Sequence, residues 1–266
     1  MVSLVSTAYL IGKVMGDGHL EKTLGSCYFI SGDEKQLLLL KKFIIQEFEI
    51  NKDKFSLKKY FTKKGISYKL RISSVNFCKF LFSHDAPKGR KVEQAFFVPI
   101  WILDHKNFQK AFLQGILEDE LTTIKIEKSS HSVAIQFKMS KIKNLYSEHE
   151  VFMMQIKNLL ENFSIECGEL RFQENKEDLS KFRFYFHIQR NKRNLIRFKE
   201  NIGFCLNIQK SQELEKTYQI LKKTLRPEVN KTEILIFRQS GLSIRQIASK
   251  TNISSTHVHR ILQKFN

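Results

Sequence analysis

Apolar residues recur along the chain in two rhythms, a helical spacing and a strand-like alternation, and the two succeed one another in a repeating order. Over 3–16 the residues Leu4, Tyr9, Leu10, Val14 and Met15 make one apolar surface of a helix, which Ser3 or Ser6 can cap and which Gly16 and Gly18 end. Alternating β-branched and aromatic residues over 19–30 and 55–72 predict strands, the second stretch folded at a basic hairpin turn, Lys63-Lys-Gly65. Between them Asp33 caps a helix over 34–48, whose buried stripe is Leu37, Leu38, Phe43, Ile44 and Phe48. A short helix over 75–82 and a basic loop over 87–91 follow, and Val98-Pro-Ile-Trp-Ile102 leads into the next helix.

The order then starts again. Strands are expected over 122–128 and 132–139, then a helix over 147–162 carrying Val151, Phe152, Met154, Ile156, Leu159 and Leu160. Strands over 169–174 and 181–189 and a helix over 190–202 complete the second round. The loop over 203–210 takes the place of the earlier one over 87–91, and a helix over 211–225 closes the unit. Helix, two strands, helix, two strands, helix is thus used twice, an internal duplication at the level of elements. The boundaries expected are a first half over 1–106, a second over 107–225 and, beyond Pro227, a separate domain over 227–266. In that last stretch a short helix over 231–239 precedes a break at Gly241. Ser243 caps a second helix, Asn252 suits a left-handed turn, and Ser254 caps a third. Ile247, Ala248, Ile253, Val258, Ile261 and Leu262 fall where a helix-turn-helix needs apolar residues, with small Ala248 at the crossing.

Composition narrows the partners. The 266 residues carry 45 Lys and Arg against 27 Asp and Glu, a net charge of +18 and a pI near 9.7, which suits a polyanion such as nucleic acid. The stretch over 227–266 shares the bias, with six basic and two acidic residues. Cys27, Cys78, Cys167 and Cys205 are far apart and form no ligand cluster, so they read as thiols in a reducing compartment. No signal peptide and no apolar run long enough to span a bilayer is recognised, so an intracellular, cytoplasmic, nucleoid-associated protein with no membrane partner is expected.

The candidate chemistry sits where the two rounds begin. The first helix ends Leu10-Ile-Gly-Lys-Val-Met-Gly-Asp-Gly18, and 103 positions on the chain reads Leu113-Gln-Gly-Ile-Leu-Glu-Asp-Glu-Leu121, so that Gly12 matches Gly115 and Asp17 matches Glu120. Gly12 and Gly115 are the small residues that let two helices touch, bringing the acids at their ends together. Paired carboxylates with a divalent cation between them can hydrolyse phosphodiesters.

These two motifs, with the duplicated strand-rich unit and the basic loops, resemble the LAGLIDADG homing endonuclease family in its single-chain, two-motif form, over about residues 4–225. The resemblance implies an α+β fold: tandem pseudo-twofold αββαββα repeats with saddle-shaped antiparallel sheets, here followed by a C-terminal all-α helix-turn-helix domain. It implies a monomeric, site-specific endonuclease for double-stranded DNA using Mg²⁺ or Mn²⁺. Asp17 and Glu120 would hold metal with help from the carbonyls of Gly16 and Asp119, and Lys88 or Lys91 in the first half and Lys210 in the second would support the transition state. The sheets would lie along DNA and present Lys22, Lys58, Lys59, Lys69 and Arg71, and in the second half Lys125, Lys138, Arg183 and Arg190. The helix after Ser254 would offer Ser255, Thr256, His257, His259 and Arg260 to base edges and phosphates. Two departures stand out. Met15 replaces the first acid of the first motif, and Leu121 stands where the family has Gly, where it is expected to crowd the ion site or tilt the helix end. A catalytically inactive DNA-binding regulator and an intron RNA maturase are the alternative readings.

Overall fold

In a computed structural model of the chain the described residues are 2–62, 65–122, 135–175, 178–189, 191–224 and 231–264. They fall into two compact units, 1–221 and 222–266. The first unit takes in both stretches read as halves, because the helices that open them pack on each other. No helix among the described residues is long and apolar enough to cross a membrane.

The first unit opens on α1 (Leu4–Met15), buried from Ser6 to Met15. Ser3 occupies its N-cap position without making a side-chain cap bond, and the Ser6 hydroxyl instead donates to Glu47 Oε2 at 2.5 Å. The strand-like stretch over 19–30 forms two strands, β1 (His19–Leu20) and β2 (Cys27–Ser31). The chain turns between them, with the Glu21 N–H donating to Ser26 O and Leu24 held at φ 56°. Then come α2 (Glu34–Phe48), capped by the Asp33 side chain as predicted, β3 (Phe55–Thr62), β4 (Gly65–Ile72) and α3 (Val75–Ser83). A 3-10 turn at Lys91–Glu93 and α4 (Ile100–Leu103) lead into α5 (Lys106–Glu120). The second stretch continues with β5 (Ile135–Ile142), α6 (Tyr146–Glu161), β6 (Arg171–Glu174), β7 (Lys181–Ile188), α7 (Lys192–Asn201) and α8 (Ile208–Thr224). The strand expected over 122–128 lies almost wholly outside the described residues.

Both sheets are antiparallel. One has the order β1-β2-β4-β3 and the other β5-β7-β6, so β5, β7 and β6 follow the same order as β2, β4 and β3. Period-two alternation gives each sheet one apolar face. In the first sheet Phe29, Leu70 and Ile72 are buried, with Phe48 and Phe77 packed edge to face at 5.4 Å nearby. In the second, Phe137, Phe182, Phe184 and Phe186 are buried, and Tyr146 of α6 stands among Phe172, Phe182 and Phe184.

Between the sheets' helices, α1 and α5 approach backbone to backbone. A Cβ on Gly12 would collide with Phe112 O and stand 2.9 Å from Ile116 N, and one on Gly115 would collide with Tyr9 O and stand 2.9 Å from Lys13 N. Only glycine fits at either position. The surrounding core (Leu10, Ile11, Val14, Phe112, Leu113, Ile116 and Leu117) is closed to solvent.

The second unit holds α9 (Lys231–Gln239), α10 (Ile244–Thr251) and α11 (Ser255–Leu262) around a core of Ile234, Ile247, Ala248, Val258, Ile261 and Leu262. Ser243 and Gln246 form a reciprocal capping box on α10, Asn252 takes the left-handed conformation at φ 55°, and Ser254 caps α11.

The helix contact sets a first expectation. Gly115→Ala should lower the unfolding free energy by about 3 kcal/mol, because the added methyl meets backbone that cannot move without separating the helices. Urea denaturation measures it, and a loss below a few tenths would show that the helices have room to part.

Candidate functional site

The glycine contact determines where the two helices end. On α1 the Gly16 N–H still donates to Gly12 O at 2.9 Å, one helical turn back, while the Gly18 N–H reaches five residues back to Lys13 O at 2.9 Å, so the chain leaves the helix around Asp17. Gly18 has no room for a side chain, since a Cβ would lie 2.8 Å from both Phe29 Cε1 and Val14 Cα. On α5 the corresponding residue is Leu121, in extended conformation at φ −74°, ψ 137°. Its side chain is buried in the hydrophobic core.

Three successive acids close α5, and each does something different. Glu118 is fully buried; its Oε2 accepts from the Tyr9 hydroxyl at 2.6 Å, and its Oε1 accepts from the N–H groups of Cys205, Leu206 and Asn207. Asp119 accepts from the buried Lys13 ammonium through Oδ1 and from the Asp17 N–H through Oδ2 at 3.1 Å, in the space left by Gly16. Glu120 is half-buried and faces the charge of Asp17. Burial chiefly, then the negative charge of Asp17, pushes the Glu120 carboxyl up to about 8. The Asp17 carboxyl opens to solvent yet has protein on most sides, and it too is raised, by burial and then by Asp119, against the lowering pull of Lys91, Lys13 and Lys210. Burial and the neighbouring negative charge thus disfavour the ionised form of both acids.

The lysines stand at the helix ends. Lys91 Nζ donates to Val14 O at 2.8 Å, to Met15 O and to Gly16 O, and Lys210 Nζ donates to Glu118 O at 2.7 Å and Leu121 O at 2.6 Å. Each ammonium thus meets carbonyls left over at a helix carboxyl terminus, where the dipole favours positive charge. Lys88, the alternative to Lys91, does not reach the site: its ammonium stacks over the Phe82 ring at 4.2 Å. The Gly16 carbonyl accepts from Lys91. Sequence reasoning missed Lys13 and Lys141. Lys13 falls inside a helical stripe that is otherwise apolar, and Lys141 on the inward phase of β5 among Ile135, Phe137 and Met139; a charge on an apolar phase was the available signal.

Among the described residues no three His, Cys, Asp or Glu side chains gather into a cluster able to hold a metal. A cation at Asp17 and Glu120 would therefore be completed by water and phosphate oxygens. That donor set fits Mg²⁺, which takes one or two carboxylates and keeps several waters.

The outward sheet faces carry most of the remaining basic candidates. Lys58 and Lys69 are cross-strand partners on one face with Arg71, and Lys69 Nζ lies 3.6 Å over the Tyr28 ring. Arg71 also pairs with Glu21 at 3.2 Å. Lys59 is exposed on the opposite phase, over the Phe61 ring at 5.5 Å, and Lys22 is exposed beside Gly89. In the second sheet Lys138, opposite Tyr185, shares the polar face with Arg183, opposite Ser140. Lys125 and Arg190 lie outside the described residues. On α11, Ser255, Thr256, His259 and Arg260 are exposed, while His257 is half-buried with its Nδ1 2.7 Å from an Arg260 nitrogen.

No family model matches the chain. It is 25% identical to the tRNA-splicing ligase RtcB of Methanopyrus kandleri over 249 residues, which is 88% of this chain and 25% of that protein. To the DNA-directed RNA polymerase subunit Rpo1N of Methanocaldococcus jannaschii it is 28% identical over 180 residues, 63% of this chain and 13% of the relative. The chain spans a quarter or less of the length of the curated relatives it matches. Among solved structures, the homing endonuclease I-DmoI in complex with DNA and Ca gives a TM-score of 0.48 at 17% identity, covering 80% of this chain and 98% of that one. The N-terminal LAGLIDADG domain of DUF199/WhiA gives 0.47 at 11% identity, covering 79% and 87%.

Two expectations come from the charges. Lys13→Met should cost about 3–5 kcal/mol in urea unfolding, because Asp119 and Glu118 keep their charge without the ammonium, and adding Asp119→Asn should return most of it. For Glu120 the sign follows from a carboxyl raised in the folded state. The folded protein holds a proton that the unfolded chain has released, so stability falls as pH rises from about 4.5 towards about 8. Glu120→Gln removes that slope. In divalent-free buffer it should stabilise the protein by on the order of 1 kcal/mol at pH 8, after allowance for solvent screening, and by nothing measurable near pH 4.5. An equal gain at both pH values would point to packing instead of charge.

Proposed function

We propose that the chain is a site-specific double-strand DNA endonuclease of the LAGLIDADG kind, acting as a monomer through a pseudo-twofold core with Mg²⁺ or Mn²⁺. The observation that carries this reading is that Asp17 and Glu120 stand at the ends of two glycine-packed helices, where the charge of Asp17 acts on Glu120, each helix end holding a lysine. Bound there, a hard divalent ion would polarise the scissile phosphate and lower the pKa of a water. The chain's own part is to keep two carboxylates close enough to hold the ion and to surround the phosphate with positive charge. Lys91 and Lys210 bring that charge to the helix ends, within reach of a phosphate drawn to the metal.

Duplex DNA is the partner that the charge pattern favours. Lys58, Lys69, Arg71, Lys138 and Arg183 line the polar faces of two twisted antiparallel sheets, and such ribbons fit the major groove. Residues 227–266 act as a helix-turn-helix that adds contacts through Ser255, Thr256, His259 and Arg260 of α11. The Leu121 side chain lies in the hydrophobic core, which is compatible with an intact site at the end of α5.

The test is cleavage in Mg²⁺. Asp17→Asn should slow cutting at least about 100-fold while duplex affinity stays within a few-fold of the unaltered chain. Undiminished cutting by the variant would sink the assignment. Preferential binding of structured RNA over duplex DNA would support the maturase reading instead.

A further inference from the structure

Lys141 is a buried ammonium that the proposed reaction does not use. It is 2% exposed, on the apolar phase of β5, and among the described residues it makes no ion pair with a carboxylate. Its partners are the carbonyls of Lys91 and Gln94, the latter at 2.8 Å, and the Phe96 ring, whose centroid lies 3.5 Å away. Burying an ammonium that has no paired carboxylate is unfavourable, and burial first, then the charge of Lys91, lowers it to about 7 against the raising pull of Glu120. Methionine would fill the same position without that penalty. What the ammonium does in return is hold the 3-10 turn at Lys91–Glu93, whose first residue sends its own side chain to the carboxyl end of α1 beside Asp17.

The other helix end is arranged likewise, with the charge reversed. Lys210 lies just after a loop pinned by the buried Glu118 carboxylate, which accepts from three successive N–H groups at 205–207. One lysine-bearing loop is held by its amides on an anion, the other by its carbonyls on a cation. The first arrangement is internal to the second stretch of the chain. The second reaches from β5 across to the turn that serves α1.

We infer that Lys141 is the positioning residue for Lys91: by binding the carbonyls of Lys91 and Gln94 it fixes the turn from which the Lys91 ammonium reaches the end of α1. This rests on the endonuclease reading for its consequence in cleavage, and on geometry alone for the anchoring. In the full chain Lys141→Met should fold with undiminished stability. The Glu93 amide, bonded to Arg90 O, should exchange with solvent at least about tenfold faster, while amides of α6 and β7 stay unchanged. Cleavage in Mg²⁺ should slow by about 10- to 100-fold through kcat, with duplex affinity unaltered. The double variant Lys141→Met/Lys91→Met should then cut no more slowly than Lys91→Met alone, since both changes remove the same ammonium from its place.

Unchanged Glu93 exchange overturns the anchoring. Independent, multiplying losses in the double variant overturn the link to Lys91, because a general packing role would add to the loss of the ammonium. If Lys141→Met does not fold, Lys141→Ala, which likewise offers no donor to the two carbonyls, takes its place with the same readouts. A failure of the unaltered chain to cut any duplex would overturn the proposed function instead, and the exchange measurement would then decide the anchoring by itself.

Discussion

At Gly12 and Gly115 the backbones of α1 and α5 touch with no room for a side chain, and the placing of the charged groups at the two helix ends depends on that contact. Two helices whose backbones touch cannot slide or separate without opening the core that surrounds them. Their ends are therefore fixed relative to each other to within the tolerance of packed backbone. Sites that must hold a small ion gain most from such rigidity, because carboxylate oxygens displaced by an ångström no longer share a cation.

Held that close, the acids create a problem that the rest of the site answers. Successive residues on a helix point about 100° apart, so Glu118, Asp119 and Glu120 face three ways. The first turns to amides and a tyrosine, the second to Lys13 and the Asp17 N–H, and the third faces the charge of Asp17. Three carboxylates in a row would otherwise repel; here two are satisfied by protein partners, and the third faces the charge of Asp17. Lys91 and Lys210 moderate the excess without pairing with it, since their ammonium groups bind main-chain carbonyls.

Much of this was legible from spacing. The glycines and acids of the two motifs could be matched because a helix contact needs small residues at fixed distances from its end. The capping residues Asp33, Ser243 and Ser254 and the left-handed Asn252 were also readable, since each satisfies a local backbone requirement. Long-range choices were not. Nothing near Lys88 and Lys91 says which of two basic residues in a loop turns inward and which lies on Phe82. The fate of Leu121 depended on whether the chain beyond α5 runs extended into the core, a matter for the sheet it joins at Phe137. Lys13 and Lys141 escaped notice for the opposite reason: a lysine is read as a wet residue unless its partners, here 106 positions and about half that distance away in sequence, are already known.

The Lys13–Asp119 pair makes the two faces of the helix contact unlike. Within Leu4–Met15, α1 carries no acid, and the last two turns of α5 carry no base. If α1 met a second α1, Lys13 would be buried with nothing to neutralise it; if α5 met a second α5, Glu118 and Asp119 would be. The contact is therefore keyed, in the sense that each helix recognises the other and rejects its own copy. Two molecules could exchange opening helices and still satisfy every charge, but they could not join like to like.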